Sequence, residues 1–212
     1  MCGRYTLTVE LDEIAERFGC PKVELVFKHR YNVAPTNIMP VIVSPGGARQ
    51  IQFMQWGLVP CWSPDRSIGP KMINARAETV AQKPAFRAAY RHRRCLVPAT
   101  GYYEWQQQGS QKQPYYIHMP DRKLFAFAGL WEEWSEGSGV KLYSFTILTT
   151  EPSPSVAHLH NRMPLILPYE QEATWLQGQP LATPEYQLGS YEVSPLVNRT
   201  VNDLPECIKP LR

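Results

Sequence analysis

The residues with the most chemistry to offer stand at the start of the chain, Met1-Cys2-Gly3-Arg4-Tyr5. Trimming of Met1 ahead of so small a residue leaves Cys2 with both a free α-amine and a thiol. The amine titrates near about 8 and the thiol near about 8.5, so both are partly nucleophilic at neutral pH. A shielded site shifts either further. Together they condense with an aldehyde: the amine forms a Schiff base and the sulfur closes a five-membered thiazolidine on it. In an arbitrary chain a cysteine at position 2 is only a small residue tolerated at a terminus, so the rest of the sequence has to decide.

Three further stretches carry reactive groups. Glu104 sits among aromatics in Gly101-Tyr102-Tyr103-Glu104-Trp105. It is either an exposed strand residue or a buried carboxylate, and in the second case desolvation raises its pKa or an arginine holds it. His158 and His160 lie at i and i+2 in His158-Leu159-His160-Asn161-Arg162-Met163-Pro164. That spacing suits a metal pair, but no third ligand is evident, so one functional imidazole is preferred over a metal site. Asn74 and Arg76 share a side if Asn74-Ala75-Arg76-Ala77-Glu78 is extended. Asparagine can orient a nucleophile and arginine can fork onto phosphate, although a cap with a surface Arg–Glu pair fits the same residues.

The densest basic run is Arg87, Arg91, His92, Arg93 and Arg94. It suits either a phosphate backbone or a solvated helix face. Arg4 and Arg162 are better phosphate candidates because they flank the reactive groups. Trp56, Trp62 and Trp105 offer stacking surfaces for bases, in competition with a β-rich core that would consume at least two of them.

Residues 4–9 predict a short strand, and Leu11, Ile14, Ala15 and Phe18 a helix stopped by Gly19. Such a start pins the N-terminus inside the domain. Pro40 to Val43, Pro45-Gly46-Gly47 and Gln50 to Phe53 predict a hairpin. Pro84 to Tyr90 predicts one or two helical turns with Phe86 and Tyr90 on one face. From Arg94 the pattern is strand after strand: 95–98, 101–105, a polar turn at 107–113, 115–118, 123–131, a turn at 135–139, and 141–150. A helix over 170–176 and a last strand over 191–197 complete the reading. It predicts an α+β protein, one β-rich domain over 1–212 with mainly antiparallel strands and a few short helices.

With 22 basic against 19 acidic residues, the net charge of +3 selects neither nucleic acid nor small molecules. The 5 cysteines are scattered without a C-x-x-C pair, which predicts reduced thiols and no structural metal. The 20 prolines fall among strand ends, as loop punctuation. No basic start leads into an apolar run, and no stretch approaches the ~18 apolar residues of a span. A cytoplasmic protein without membrane contact is expected, nucleoid-associated if bacterial.

Eight blocks, in order over most of the chain, resemble the SOS-response-associated peptidase (SRAP) family. They are Met1 to Tyr5, Tyr31-Asn32-Val33-Ala34-Pro35, Trp56 to Pro60, Asn74 to Thr79, Arg94 to Ala99, Gly101 to Trp105, Phe127 to Trp131 and His160 to Pro164. The resemblance implies an abasic-site processing protein that binds single-stranded DNA, forms a thiazolidine with the ring-opened sugar, and removes its own Met1. It implies that Cys2 is the covalent nucleophile and that Asn74 positions the sugar. Glu104 and His160 become the proton-transfer groups, and Arg4, Arg76 and Arg162 order the site or contact phosphate. It implies no cofactor, and a monomer is expected. An N-terminal-nucleophile glutamine amidotransferase also begins Met-Cys-Gly, but its Asn-Gly and Gly-Asp elements are absent from this sequence. A non-covalent reader of damaged DNA is the other rival.

Overall fold

Helical spacing and strand alternation set the first elements. Tyr5–Leu7 forms β1, shorter than residues 4–9, and Leu11–Phe18 forms α1 with Leu11, Ile14, Ala15 and Phe18 buried. A capping box between Glu10 and Glu13 starts α1, and Gly19 ends it in the left-handed region at φ 64°. The computed structural model describes residues 2–121, 123–136, 139–179 and 186–211.

The chain continues through β2 (Arg30–Val33), β3 (Ile38–Val43), β4 (Gln50–Trp56), β5 (Asn74–Arg76), α2 (Arg87–His92), β6 (Arg94–Ala99), β7 (Gly101–Gln108) and β8 (Gln111–His118). It ends with β9 (Phe125–Ser135), β10 (Lys141–Thr150), β11 (Met163–Pro164), β12 (Ile166–Leu167), α3 (Tyr169–Leu176) and β13 (Gly189–Glu192). The result is a β-rich α+β fold with mostly antiparallel sheets. No helix among the described residues is long and apolar enough to cross a membrane.

One sheet has five strands in the order β13-β8-β7-β1-β2. The other has eight, and within it β10-β4-β3-β6-β9 closes into a ring because β9 pairs back onto β10. The parallel pairings are β10 with β4 and β10 with β5. Ile147 of β10 pairs with Gly129 of β9 and Asn74 of β5, so those strands lie on its opposite sides. Thr149 likewise pairs with Arg76 of β5 and Pro164 of β11. The end of β10 therefore draws residues 74–78 and the segment before β11 to one place.

Aromatic contacts tie the sheets together. Tyr5 meets Trp56 at 5.2 Å and Phe127 at 6.1 Å, and Tyr102 meets Phe127 at 6.0 Å. Tyr103, on the other face of β7, joins Tyr116, Val193, Val197 and Cys207 in a second, smaller core. Because side chains alternate along a strand, Glu104 shares the face of Tyr102, which packs in the core cluster that also holds Cys2.

Two predicted elements differ. The polar turn at 107–113 contracts to Gly109-Ser110, because the glutamine ladder pairs through Gln108↔Gln111. The last strand stops at Glu192, and Pro195–Asn198 forms a 3-10 turn. Pro195 has no N–H for a ladder, and the Ser194 side chain accepts from the Leu196 N–H. In the turn read at 135–139, residues 137–138 lie outside the described residues.

Candidate active site

Cys2 is fully buried, three residues before β1. Its thiol donates to the Arg4 carbonyl at 3.5 Å, and its own carbonyl accepts from Asn74 Nδ2 at 2.7 Å. β5 runs beside β10, which puts Asn74 in reach; the other amide atom, Oδ1, is buried with no hydrogen-bond partner. The hydroxyls of Tyr5 and Tyr102 are also buried and unpartnered. Burial, reinforced by the Glu104 charge, pushes the Cys2 thiol far above the ordinary thiol range. Such a thiol needs a base before it can react.

A buried carboxyl, Glu104, is in the same electrostatic neighbourhood. Glu104 is 4 % exposed, and burial raises its carboxyl from 4.5 to about 7. A carboxyl poised there gives and takes a proton at neutral pH. It lines a cleft of about 410 Å³ with Arg4, Trp105, Lys112, His160 and Asn198. His160 has its pKa lowered by burial, with the positive charges of Arg162 and Lys112 acting in the same direction. The Arg162 N–H lies 3.0 Å from its Nδ1. His158 does not join it in a pair: His158 is exposed, and its carbonyl accepts from Gln106. Among the described residues no cluster of three His, Cys, Asp or Glu side chains could hold a metal ion.

The structure thus brings Cys2, Asn74, Glu104 and His160 into one region and distributes the arginines differently. Arg4 Nη1 donates to Asn32 Oδ1 at 3.0 Å and to the Val197 carbonyl at 2.8 Å, so it is tied to the C-terminal 3-10 turn. Arg162 forks onto Glu78 at 2.7 and 2.9 Å. Arg76 is exposed.

In the basic run, Arg93 pairs with Glu132 at 2.6 Å, and Arg94 is buried over the rings of Tyr90 and Trp175. Trp56 is core, Trp62 is 59 % exposed, and Trp105 stands at the cleft with Nε1 donating to Asn198 at 2.7 Å. Sequence reasoning passed over Lys112 and Asn198. Lys112 is an ordinary lysine in a polar hairpin, and Asn198 comes to the cleft from a turn 94 residues beyond Glu104 in the numbering.

The region joins a buried thiol near the N-terminal end of a two-sheet α+β domain to a near-neutral carboxyl and an imidazole on a polar cleft. The chain belongs to the SOS response associated peptidase (SRAP) family, whose model matches residues 1–200. It is 40 % identical over 224 residues to abasic site processing protein YoaM of Bacillus subtilis (strain 168), covering 98 % of this chain and 97 % of that one. Abasic site processing protein HMCES of Xenopus tropicalis is 32 % identical over 262 residues, covering 98 % and 78 %. A solved structure from Bacteroides thetaiotaomicron superposes with a TM-score of 0.87 at 27 % identity, covering 100 % of both chains.

Proposed function

We propose that the chain, once Met1 is removed, captures abasic sites in single-stranded DNA as a covalent thiazolidine on Cys2. The observation that carries this reading is the burial of Cys2 beside a carboxyl held at about 7, with Asn74 gripping the Cys2 carbonyl. An abasic sugar is mostly a closed hemiacetal, so a proton donor and an acceptor must open it first. Glu104 and His160, on one cleft, supply that pair. The Cys2 amine then attacks the aldehyde carbon, one water leaves, and a C=N bond forms. The sulfur adds to that carbon while Glu104 passes the thiol proton to the nitrogen, closing the ring.

Asn74 Oδ1, buried and unpartnered, suits the amine or a sugar hydroxyl as an acceptor. Single strands expose the lesion without the cost of unpairing. Removal of Met1 falls to the same centre: the thiol attacks the carbonyl ahead of Cys2, the C–N bond breaks as the new amine takes a proton, and water hydrolyses the thioester. The protein acts in this reading as a monomeric domain over 1–212.

The test is a denaturing gel of Met1-free protein with an oligonucleotide bearing one abasic site. A shifted band that survives denaturation and disappears in Cys2→Ala supports the reading. A complex seen only under native conditions would replace it with a non-covalent reader, and glutamine hydrolysis with an amidotransferase. Intact mass spectrometry of Glu104→Gln, with Met1 retained where the parent has lost it, tests self-removal.

A further inference from the structure

Glu78 stands two residues beyond β5 and holds Arg162 with both carboxylate oxygens, at 2.7 and 2.9 Å. The same guanidinium reaches the Thr149 carbonyl of β10 at 2.5 Å. A planar fork held by a carboxylate on one side and backbone on another cannot swivel. The backbone of Arg162 is what His160 rests on. Its N–H donates to His160 Nδ1 at 3.0 Å, and its carbonyl lies 3.2 Å from the same nitrogen. Nδ1 either accepts from that N–H or donates to that carbonyl, depending on the tautomer; the N–H contact is the shorter of the two, which favours the proton on Nε2.

We propose that Glu78 is a positioning residue: by clamping Arg162 it sets the tautomer and orientation of His160, presenting Nε2–H to the reacting sugar. The proposal rests on the reading of His160 as a proton-transfer group. The topology makes the clamp possible, because Thr149 pairs with Arg76 on one side and with Pro164 on the other. Glu78 and Arg162 thus meet across the end of β10. The charged groups facing the imidazole region are Glu104, Arg4, Lys112 and Arg162, and Glu78 acts on it only through the last. It supplies geometry, as hydrogen-bonded carboxylates do for functional imidazoles generally.

The experiment is ¹⁵N NMR of the His160 ring in DNA-free protein, paired with cross-linking rates at saturating abasic DNA, for the parent, Glu78→Ala and Glu78→Gln. The parent is expected to show the Nε2–H tautomer. Glu78→Ala is expected to give a tautomer mixture and a rate about tenfold lower, with affinity for intact single-stranded DNA within about twofold. Glu78→Gln fills the same space and keeps one hydrogen bond, so it is expected between the two. A His160 pattern in Glu78→Ala identical to the parent's, or a loss confined to affinity, overturns the proposal. Should Glu78→Ala not fold, an unchanged tautomer and rate in Glu78→Gln overturn it. The tautomer is read without DNA, so a parent that forms no cross-link sinks the functional reading and leaves the clamp to be judged on the spectra.

Discussion

Glu104 and Glu172 are both buried, at 4 % and 0 % exposure, and their surroundings are opposites. Glu172 on α3 is gripped by Arg17 of α1 at 2.7 Å and by Arg49 at 3.4 Å, which pins two helices to the hairpin. At Glu104 burial dominates, and its carboxyl rises to about 7. The guanidinium lining its cleft, Arg4, is turned to Asn32 and Val197. A carboxylate locked between arginines ties elements of the fold together; one governed by desolvation is left able to exchange its proton near neutrality. Buried charge alone does not mark a site.

The sharpest way to break that contrast is to neutralise each carboxylate in turn. Glu104→Gln is expected to slow cross-linking by about a hundredfold, the scale of a lost proton-transfer group, with the fold intact. Glu172→Gln is expected to leave the rate unchanged and to cost about 3 kcal/mol in urea unfolding, since it leaves two arginines without their partner. Equal rate losses in both variants would erase the distinction.

A second test uses stability against pH. Folding raises the Glu104 carboxyl from 4.5 to about 7, so the folded chain keeps that proton where the unfolded chain gives it up. The associated stability is present in full below pH 4.5, is lost as pH rises toward about 7, and is gone above. The loss is roughly 3 kcal/mol. Glu104→Gln removes the group, so its stability advantage over the parent is expected to grow across that window. Parallel pH curves for the two proteins would show that Glu104 does not titrate with folding.

Much of this was legible in the sequence. Leu11, Ile14, Ala15 and Phe18 declare α1 through helical spacing, and Gly19 declares its end. The embedding of Glu104 among aromatics left it either exposed on a strand or buried as a carboxyl, and the structure buries it. The roles of the arginines were not legible, because a side chain's partner depends on which strands become neighbours. Arg162 reads as a free cation beside His160 until β5 and β11 are placed on either side of β10. The family resemblance, not periodicity, singled out Asn74 and His160 for chemistry. Pro195 to Val197 looked like the end of a strand because its apolar residues suit one, whereas Asn32 on β2 captures the Val197 carbonyl.

That capture gives a third, smaller test. Asn32 is fully buried, accepts from Arg4, and donates to the carbonyls of Val197, Arg199 and Asn202 at 3.1, 3.1 and 2.8 Å. It therefore secures both Arg4 and the turn carrying Asn198 into the cleft. Asn32→Ala is expected to cost about 2 kcal/mol in thermal or urea unfolding by stranding buried polar groups. A cross-linking loss larger than that of Glu104→Gln would mean that the wall of the cleft matters more than its carboxyl.

The least effect is expected at the cations that structure leaves open. Arg4 and Arg162 have carbonyl and carboxylate partners, whereas Arg76 and Lys112 are exposed, and no ion pair among the described residues holds either. The same division that separates Glu172 from Glu104 then separates these pairs: charges already satisfied by the fold, and charges available to a ligand. Each phosphate contact releases close to one counterion, by about 0.7 for a single strand, so removing one lowers the salt slope of binding by that amount. Arg76→Gln and Lys112→Gln are each expected to reduce the slope of log K against log salt by about 0.7 for single-stranded DNA. Cross-linking at saturating DNA should stay within about twofold. Lys112 lines the cleft beside His160 and Arg76 does not. A rate effect at saturation should therefore appear, if anywhere, in Lys112→Gln, through loss of a positive charge that helps keep His160 neutral. A full-size salt slope in both variants would place the phosphate contacts elsewhere and return the open cations to ordinary surface charge.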